Sequence, residues 1–170
     1  MHKIEVFYDH TCPYCLRGLE CFTRLVKDYP QAEIAWRPVE AHPKVEEPEH
    51  LPYADLAVMG AFFARDHAID LASYNERVFD MYFNEHRKVD DLKVLAQAVE
   101  PLGIDPKAFV AALADDTYTK ELAEANDYAY EVNKVWAVPS FVCGDVRLDA
   151  VGGVGVTEEQ LASFLQDCCG

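Results

Sequence analysis

The chain has 170 residues, of which 51% are hydrophobic, so one sizeable domain, or one domain with an insertion, can bury its own core. Its formal net charge of −15 argues against binding to nucleic-acid phosphates or to an anionic membrane surface. No stretch approaches the roughly 18 consecutive apolar residues of a membrane span, and the first residues lack a signal-peptide pattern. We therefore expect a cytoplasmic protein in which most of the six cysteines are reduced thiols.

The first predicted elements form a β-α-β unit. The run IEVFY is rich in β-branched and aromatic residues, which indicates a strand over residues 4–8. A helix is predicted from about Pro13 to Tyr29, because proline suits the first helical position and apolar residues then recur at helical spacing. The segment AEIAWRPVE is the second predicted strand.

The middle of the chain is predicted to be helical. After an exposed connector, EAHPKVEEPEHLP, helices are expected in the segments YADLAVMGAFFARDHAI, SYNERVFDMYFNEH, DDLKVLAQAV, DPKAFVAAL and TKELAEANDYAYEV. Asp105 is the expected N-cap of the fourth of these helices, with Pro106 as its first residue.

Strand patterns return near the end. SFVCG and VRLDAVGG are separated by a Gly–Asp turn, and TEEQLASFL closes the chain as a helix with Thr157 and Gln160 spaced as a capping box. We predict an α/β fold of order β-α-β, helical insertion, β-β-α. Residues 1–42 and 134–170 would form one domain, and residues 43–133 an inserted helical subdomain.

The sequence CPYC, with cysteines at positions 12 and 15, follows the first strand directly. A structural zinc site would need a second pair of ligands at matching spacing, so we expect no metal here. A permanent disulfide across so short a loop would remove little entropy from the unfolded chain. Thiol–disulfide exchange fits best, because a helix N-terminus stabilises the thiolate of Cys12 and the apolar stripe of the helix shelters Cys15.

The neighbouring residues and the other cysteines have simpler interpretations. His10 would favour the Cys12 thiolate if protonated, or would be an ordinary loop residue. Cys21 is interpreted as a partly exposed bystander on the helix and Cys143 as a small buried hydrophobic residue. The vicinal pair at positions 168 and 169 is expected to lie in a disordered tail.

Three features resemble the DsbA-like branch of the thioredoxin superfamily: CPYC at a strand-to-helix junction, a helical block after the second strand, and VWAVPSFV leading into the third strand. Within it, the chain is similar to the FrnE-like group and to the group of 2-hydroxychromene-2-carboxylate isomerases and kappa-class glutathione transferases. The resemblance implies a thioredoxin-like fold in which Pro139 is the cis-proline and Val138 pairs with an extended substrate. Pro13 and Tyr14 would also help to position substrate.

The implied activity is thiol–disulfide exchange with protein or peptide disulfides. Cys12 would be the nucleophile and Cys15 the resolving thiol, with no bound cofactor and with glutathione or another thiol as a redox partner. Neither a nucleic acid nor a membrane is an expected partner. Two alternatives remain open: a glutathione-dependent isomerase or transferase, and a redox-sensing or chaperone-like binding module.

Overall fold

A four-stranded mixed sheet lies at the centre of the computed structural model, which describes residues 2–170. The strands are β1 (His2–Tyr8), β2 (Ala32–Pro38), β3 (Ser140–Cys143) and β4 (Val146–Asp149), in the spatial order β2-β1-β3-β4. β2 is parallel to β1, whereas β3 is antiparallel to β1 and β4 is antiparallel to β3. The order of the elements along the chain is the predicted one, and β4 ends at Asp149, earlier than predicted.

The central strand β1 delivers the chain into the CPYC loop. Ile4, Val6 and Tyr8 are fully buried against one face of the sheet, and Phe7 is fully buried on the other. Because β1 is paired on both sides, its register and direction are fixed by two neighbours. The residues that follow Tyr8 therefore start from a rigid position.

Two helices cover the face of the sheet to which Ile4, Val6 and Tyr8 point. They are α1 (Pro13–Leu25) and α7 (Glu158–Cys169). The predicted first helix is shorter than expected, because its α-helical part ends at Leu25 and a single 3₁₀ turn continues to Asp28. The predicted capping box at the start of α7 is confirmed.

Five further helices lie between β2 and β3, as predicted. They are α2 (Asp55–Asp66), α3 (Leu71–Phe79), α4 (Leu92–Val99), α5 (Pro106–Ala114) and α6 (Thr119–Asp127). Their own core includes the buried side chains Phe63, Tyr74, Leu95 and Phe109. The predicted boundaries at 42/43 and 133/134 fall in the segments between β2 and α2 and between α6 and β3; the division into two structural units stays a prediction.

The connector after β2 is exposed from His42 onward, apart from partial burial of Pro43 and Pro52, but its first residue, Glu40, is buried. Glu40 is only 3% exposed, and its carboxylate accepts a hydrogen bond from the side-chain amide of Asn126 at 2.9 Å.

Within residues 2–170, no helix combines the length and the apolar character needed to cross a bilayer.

The end of the chain differs from the prediction of a disordered tail. Helix α7 continues to Cys169, and the side chains of Cys168 and Cys169 are buried. Cys143 is buried, as predicted, but it forms a disulfide with Cys168 and is more than a small apolar residue. The stripe that packs α7 on the sheet includes Leu161, Leu165 and Cys168, so the helix stays ordered to its last turn.

Candidate active site

Cys12 is the N-cap residue of α1. Its backbone is extended, and its sulfur accepts a hydrogen bond from the N–H of Cys15 at 3.4 Å. Pro13 occupies the first turn, where a backbone N–H would have no partner within the helix. The sulfur therefore faces the positive end of the helix dipole while remaining partly exposed.

The two cysteines of CPYC have opposite acidities. The pKa of Cys12 falls to about 7, and the largest cause is hydrogen bonding from the Cys15 side chain. The N–H groups of Cys15 and Tyr14 lower the pKa further, whereas the partial burial of Cys12 raises it. Burial raises the pKa of Cys15 well above its usual value, because its side chain is completely inaccessible. The Cys15 sulfur also accepts a hydrogen bond from the N–H of Asp9 at 3.5 Å. One accessible, acidic thiol is thus backed by one sheltered, neutral thiol.

The segment before β3 closes one side of the site. The peptide bond between Val138 and Pro139 is cis, as the resemblance implied. The carbonyl oxygen of Val138 lies 3.9 Å from the Cys12 sulfur, and Pro139 is buried. The hydroxyl of Ser140 stabilises this segment by donating a hydrogen bond to the carbonyl oxygen of Ala137 at 2.6 Å.

Gly18 allows helix α1 to approach this segment closely. A Cβ atom at position 18 would lie 2.9 Å from Cγ of Pro139 and 3.2 Å from Cγ2 of Val156, which is closer than such atoms normally pack. Sequence reasoning missed this residue. The signal was present, since a glycine inside a helical pattern often marks a close contact.

Tyr14 is also held in place by a glycine. The segment at 152–155 forms a turn, and Gly155 has φ +82° and packs against the Tyr14 ring. A Cβ atom at Gly155 would lie 3.1 Å from Cδ1 of that ring. The guanidinium of Arg17 lies 5.1 Å from the ring centroid on α1. The turn thus fixes the orientation of the residue between the two cysteines.

His10 does not act as the charged neighbour that the sequence suggested. Its side chain is completely buried, and its Nε2 is 2.9 Å from Oδ1 of Asn75. Burial is the main reason that the pKa of His10 falls to about 4, so the ring is neutral near pH 7. A neutral imidazole supplies no positive charge to the Cys12 thiolate; the role proposed for a protonated His10 is therefore wrong.

Asp9 has a structural role that the sequence analysis did not assign. Its carboxylate accepts hydrogen bonds from the N–H and hydroxyl of Thr11 at 2.6 and 2.7 Å and from the N–H of Ala41 at 2.8 Å. Its carbonyl oxygen accepts from the N–H of Cys12 at 3.2 Å. An aspartate whose side chain bonds the backbone two residues later is a recognisable turn signal.

The chain matches a family model over residues 3–166, nearly its whole length, and that model describes a DSBA-like thioredoxin domain. The chain belongs to the DSBA-like thioredoxin family. A relative, the uncharacterized protein YwbO of Bacillus subtilis, is 29% identical over 94% of this chain and 95% of its own length.

Solved structures with the same fold bear different activities in their names. A probable DsbA oxidoreductase from Streptomyces coelicolor has a TM-score of 0.81 at 16% identity, covering 99% of this chain and 90% of its own. A 2-hydroxychromene-2-carboxylate isomerase has a TM-score of 0.71 at 19% identity, covering 86% of this chain and 88% of its own. At such identities the likeness shows the thioredoxin fold, and this DSBA-like protein shares that fold with both oxidoreductases and isomerases.

Proposed function

We propose that this DSBA-like protein is a thiol–disulfide oxidoreductase that exchanges disulfides with protein or peptide substrates through Cys12 and Cys15. The observation that carries the proposal is the contrast between the two sulfurs: Cys12 is partly exposed with a pKa of about 7, and Cys15 is buried with a raised pKa. A thiol with a pKa near the ambient pH is the best attacking group for disulfide exchange. A purely structural cysteine pair does not need this asymmetry.

In the reducing direction, the Cys12 thiolate attacks one sulfur of a substrate disulfide. A mixed disulfide between Cys12 and the substrate forms, and the second substrate sulfur leaves as a thiolate that takes up a proton. Cys15 then loses its proton and attacks the Cys12 sulfur, which releases the first substrate sulfur and leaves the Cys12–Cys15 disulfide. Two electrons pass from the protein to the substrate, and the oxidising direction is the reverse of these steps.

The segment at Val138–Pro139 is suited to hold an extended chain beside Cys12. The carbonyl oxygen of Val138 lies 3.9 Å from the Cys12 sulfur. Pro139 has no backbone N–H, so Val138 is the residue of this pair that can both donate to and accept from an extended substrate backbone. Trp136, on the same segment, is 68% exposed, and Val154, on the turn that packs against Tyr14, is 63% exposed. These apolar side chains favour a polypeptide with apolar residues near its disulfide.

The proposed reaction needs no bound cofactor, because the two sulfurs carry both electrons. Glutathione, or another small thiol, would return the Cys12–Cys15 pair to its starting state. Measuring the equilibrium of this pair against glutathione shows whether the protein oxidises or reduces its substrates at a given ratio of glutathione to glutathione disulfide.

Reduction of insulin by a dithiol tests the proposal directly. The wild-type chain should accelerate the reaction, Cys12→Ser should abolish the acceleration, and Cys15→Ser should accumulate protein–substrate mixed disulfides. Cys21→Ser is the matched control, because Cys21 lies on the same helix but outside the pair and should leave the rate unchanged. Normal turnover by Cys12→Ser would refute the proposal.

The same variants separate exchange from glutathione-dependent isomerisation, the activity named for one protein of the same fold. An isomerase would use Cys12 to hold or activate the glutathione sulfur and would not need a resolving thiol. Tight glutathione binding, together with activity that survives Cys15→Ser, would therefore replace the proposed function with that one.

A further inference from the structure

A second group of sulfur and nitrogen donors lies away from CPYC. It consists of His2 at the start of β1, Cys143 at the end of β3 and Cys168 in the last turn of α7. One ring nitrogen of His2 and the two cysteine sulfurs all lie within 4.8 Å of one another. The Cys169 sulfur is 3.2 Å from that of Cys168. Donors from three separate elements thus meet at one point.

This group lies at the opposite end of the sheet from Cys12. His2 begins β1 and Cys12 follows its other end, so the seven residues of the strand alone separate them by roughly 20 Å. β3 runs antiparallel to β1, which brings Cys143 back to the end where β1 starts. The Cys12–Cys15 pair of the same molecule cannot reach these sulfurs, and the proposed exchange reaction does not use them.

We propose that His2, Cys143 and Cys168 form a binding site for a thiolate-preferring divalent cation, with Zn²⁺ as the representative ion, when the Cys143–Cys168 disulfide is reduced. Imidazole and thiolate are the donors that Zn²⁺ prefers. The two thiolates would balance the charge of the ion, and three protein ligands would leave the fourth tetrahedral position open. In the structure the two sulfurs are bonded to each other, so the disulfide and the bound cation are alternative states of the same pair.

The disulfide and the dithiol forms of this pair differ by two electrons and two protons. A dithiol or phosphine reductant transfers two electrons to the Cys143–Cys168 bond and leaves two thiols. Each thiol loses its proton as it binds the cation, so binding releases two protons and is favoured at higher pH. An oxidant of the disulfide class, such as glutathione disulfide, takes the two electrons back, restores the Cys143–Cys168 bond and releases the cation.

The position of the site supports binding in three ways. Cys143 and Cys168 are buried whereas His2 is exposed, so a cation can enter along the imidazole. The ligands are held by two strands of one sheet and by a helix packed on it, so their backbone positions are fixed relative to one another. The net charge of −15 raises the local concentration of cations around the protein.

The test uses the full chain carrying Cys12→Ser and Cys15→Ser, so that CPYC cannot bind the cation. The protein is reduced with a phosphine, freed of reductant without oxygen, and titrated with Co²⁺ and then with Zn²⁺ against a chromogenic chelator. We expect one equivalent to bind, with a sulfur-to-cobalt charge-transfer band that Zn²⁺ abolishes. His2→Gln and Cys143→Ser should each lower the affinity by more than the roughly 10–100-fold that loss of an outer-shell partner costs.

The controls keep the result interpretable. Cys21→Ser, which removes a thiol outside the site, should leave the affinity unchanged, and far-UV circular dichroism reports whether each variant folds. If Cys143→Ser does not fold, His2→Gln still tests the site, because His2 is an exposed residue at a strand end. No thiolate-to-cobalt band at one equivalent, equal affinity in the oxidised protein, or unchanged affinity in His2→Gln would each overturn the proposal. Because the background lacks Cys12 and Cys15, none of these outcomes depends on the proposed function.

Discussion

The Cys15 side chain lowers the pKa of Cys12, and a pair of substitutions tests that effect. Both Cys15→Ala and Cys15→Ser remove the resolving thiol, but only serine keeps a side chain that can donate to the Cys12 sulfur. A hydrogen bond to a charged group contributes about 1.5–3 kcal/mol, and one pKa unit corresponds to about 1.4 kcal/mol. In Cys15→Ala we therefore expect the pKa of Cys12 to rise by about 1–2 units from its value of about 7. In Cys15→Ser the rise should be smaller.

The assay is the pH dependence of alkylation at Cys12, followed by mass spectrometry of the peptide that contains it. The peptide readout excludes Cys21 and Cys169, whose pKa values are raised by burial. At pH 7 the thiolate fraction should fall from about a half to between roughly a tenth and a hundredth. A less acidic thiolate is also more nucleophilic, which returns a factor of about 3–8, so the net rate at pH 7 drops only about 2–6-fold. The midpoint of the profile, rather than one rate, is the decisive quantity.

One outcome would refute the reasoning. If Cys15→Ala and Cys15→Ser titrate at the same pH, with midpoints near that of the wild-type chain, the Cys15 thiol does not stabilise the Cys12 thiolate. The backbone N–H groups of Cys15 and Tyr14 at the helix N-terminus would then be sufficient.

Three further predictions concern packing and pH. Gly18→Ala gains about 1 kcal/mol of helix propensity but places a Cβ 2.9 Å from Pro139 Cγ. We expect urea unfolding to show a net loss of up to about 2 kcal/mol in the free energy of unfolding, and we expect a raised KM for insulin. An unchanged KM would contradict the positioning role of Gly18. In Gly60→Ala the new Cβ would clash with the hydroxyl of Tyr74. Thermal unfolding should therefore show a loss of about 1–3 kcal/mol in the free energy of unfolding, while the midpoint of Cys12 alkylation stays unchanged. In the folded protein the pKa of His10 is about 4, whereas an unfolded histidine takes up its proton near pH 6.5. The free energy of unfolding should therefore fall as the pH drops from about 6.5 to about 4, by at most about 1.4 kcal/mol per pH unit. His10→Gln should flatten this slope in urea titrations at each pH, and an unaltered slope would show that other groups cause it.

The parts of the site that local signals specify could be predicted from the sequence. A strand pattern ending at Tyr8, a proline at the first helical position and an apolar stripe together place Cys12 at a helix start and Cys15 on its buried side. Each signal acts within a few residues, so no long-range contact had to be known. The order of strands and helices along the chain, with the helical block between the second and third strands, also followed from such local patterns.

The parts that depend on distant residues could not be predicted in this way. His10 is separated from Asn75 by 65 positions, and that partner, together with the surrounding aromatic rings, keeps the imidazole buried and neutral. A histidine beside a cysteine motif gives no indication in the sequence of whether its partner is water or a buried amide. The contact of Gly18 with Pro139 likewise joins two segments more than a hundred residues apart, and only the unusual position of the glycine indicates it.

The two cysteine sites of the chain are placed at opposite ends of helices, and this explains why they should differ chemically. Cys12 lies at the N-terminus of α1, where the helix dipole and free N–H groups stabilise a thiolate. Cys168 and Cys169 lie at the C-terminus of α7, where the dipole presents partial negative charge. A free thiolate is stabilised at the first site and disfavoured at the second. At the second site the Cys168 sulfur is better accommodated by a covalent bond to Cys143, as in the structure, or by the positive charge of a bound cation.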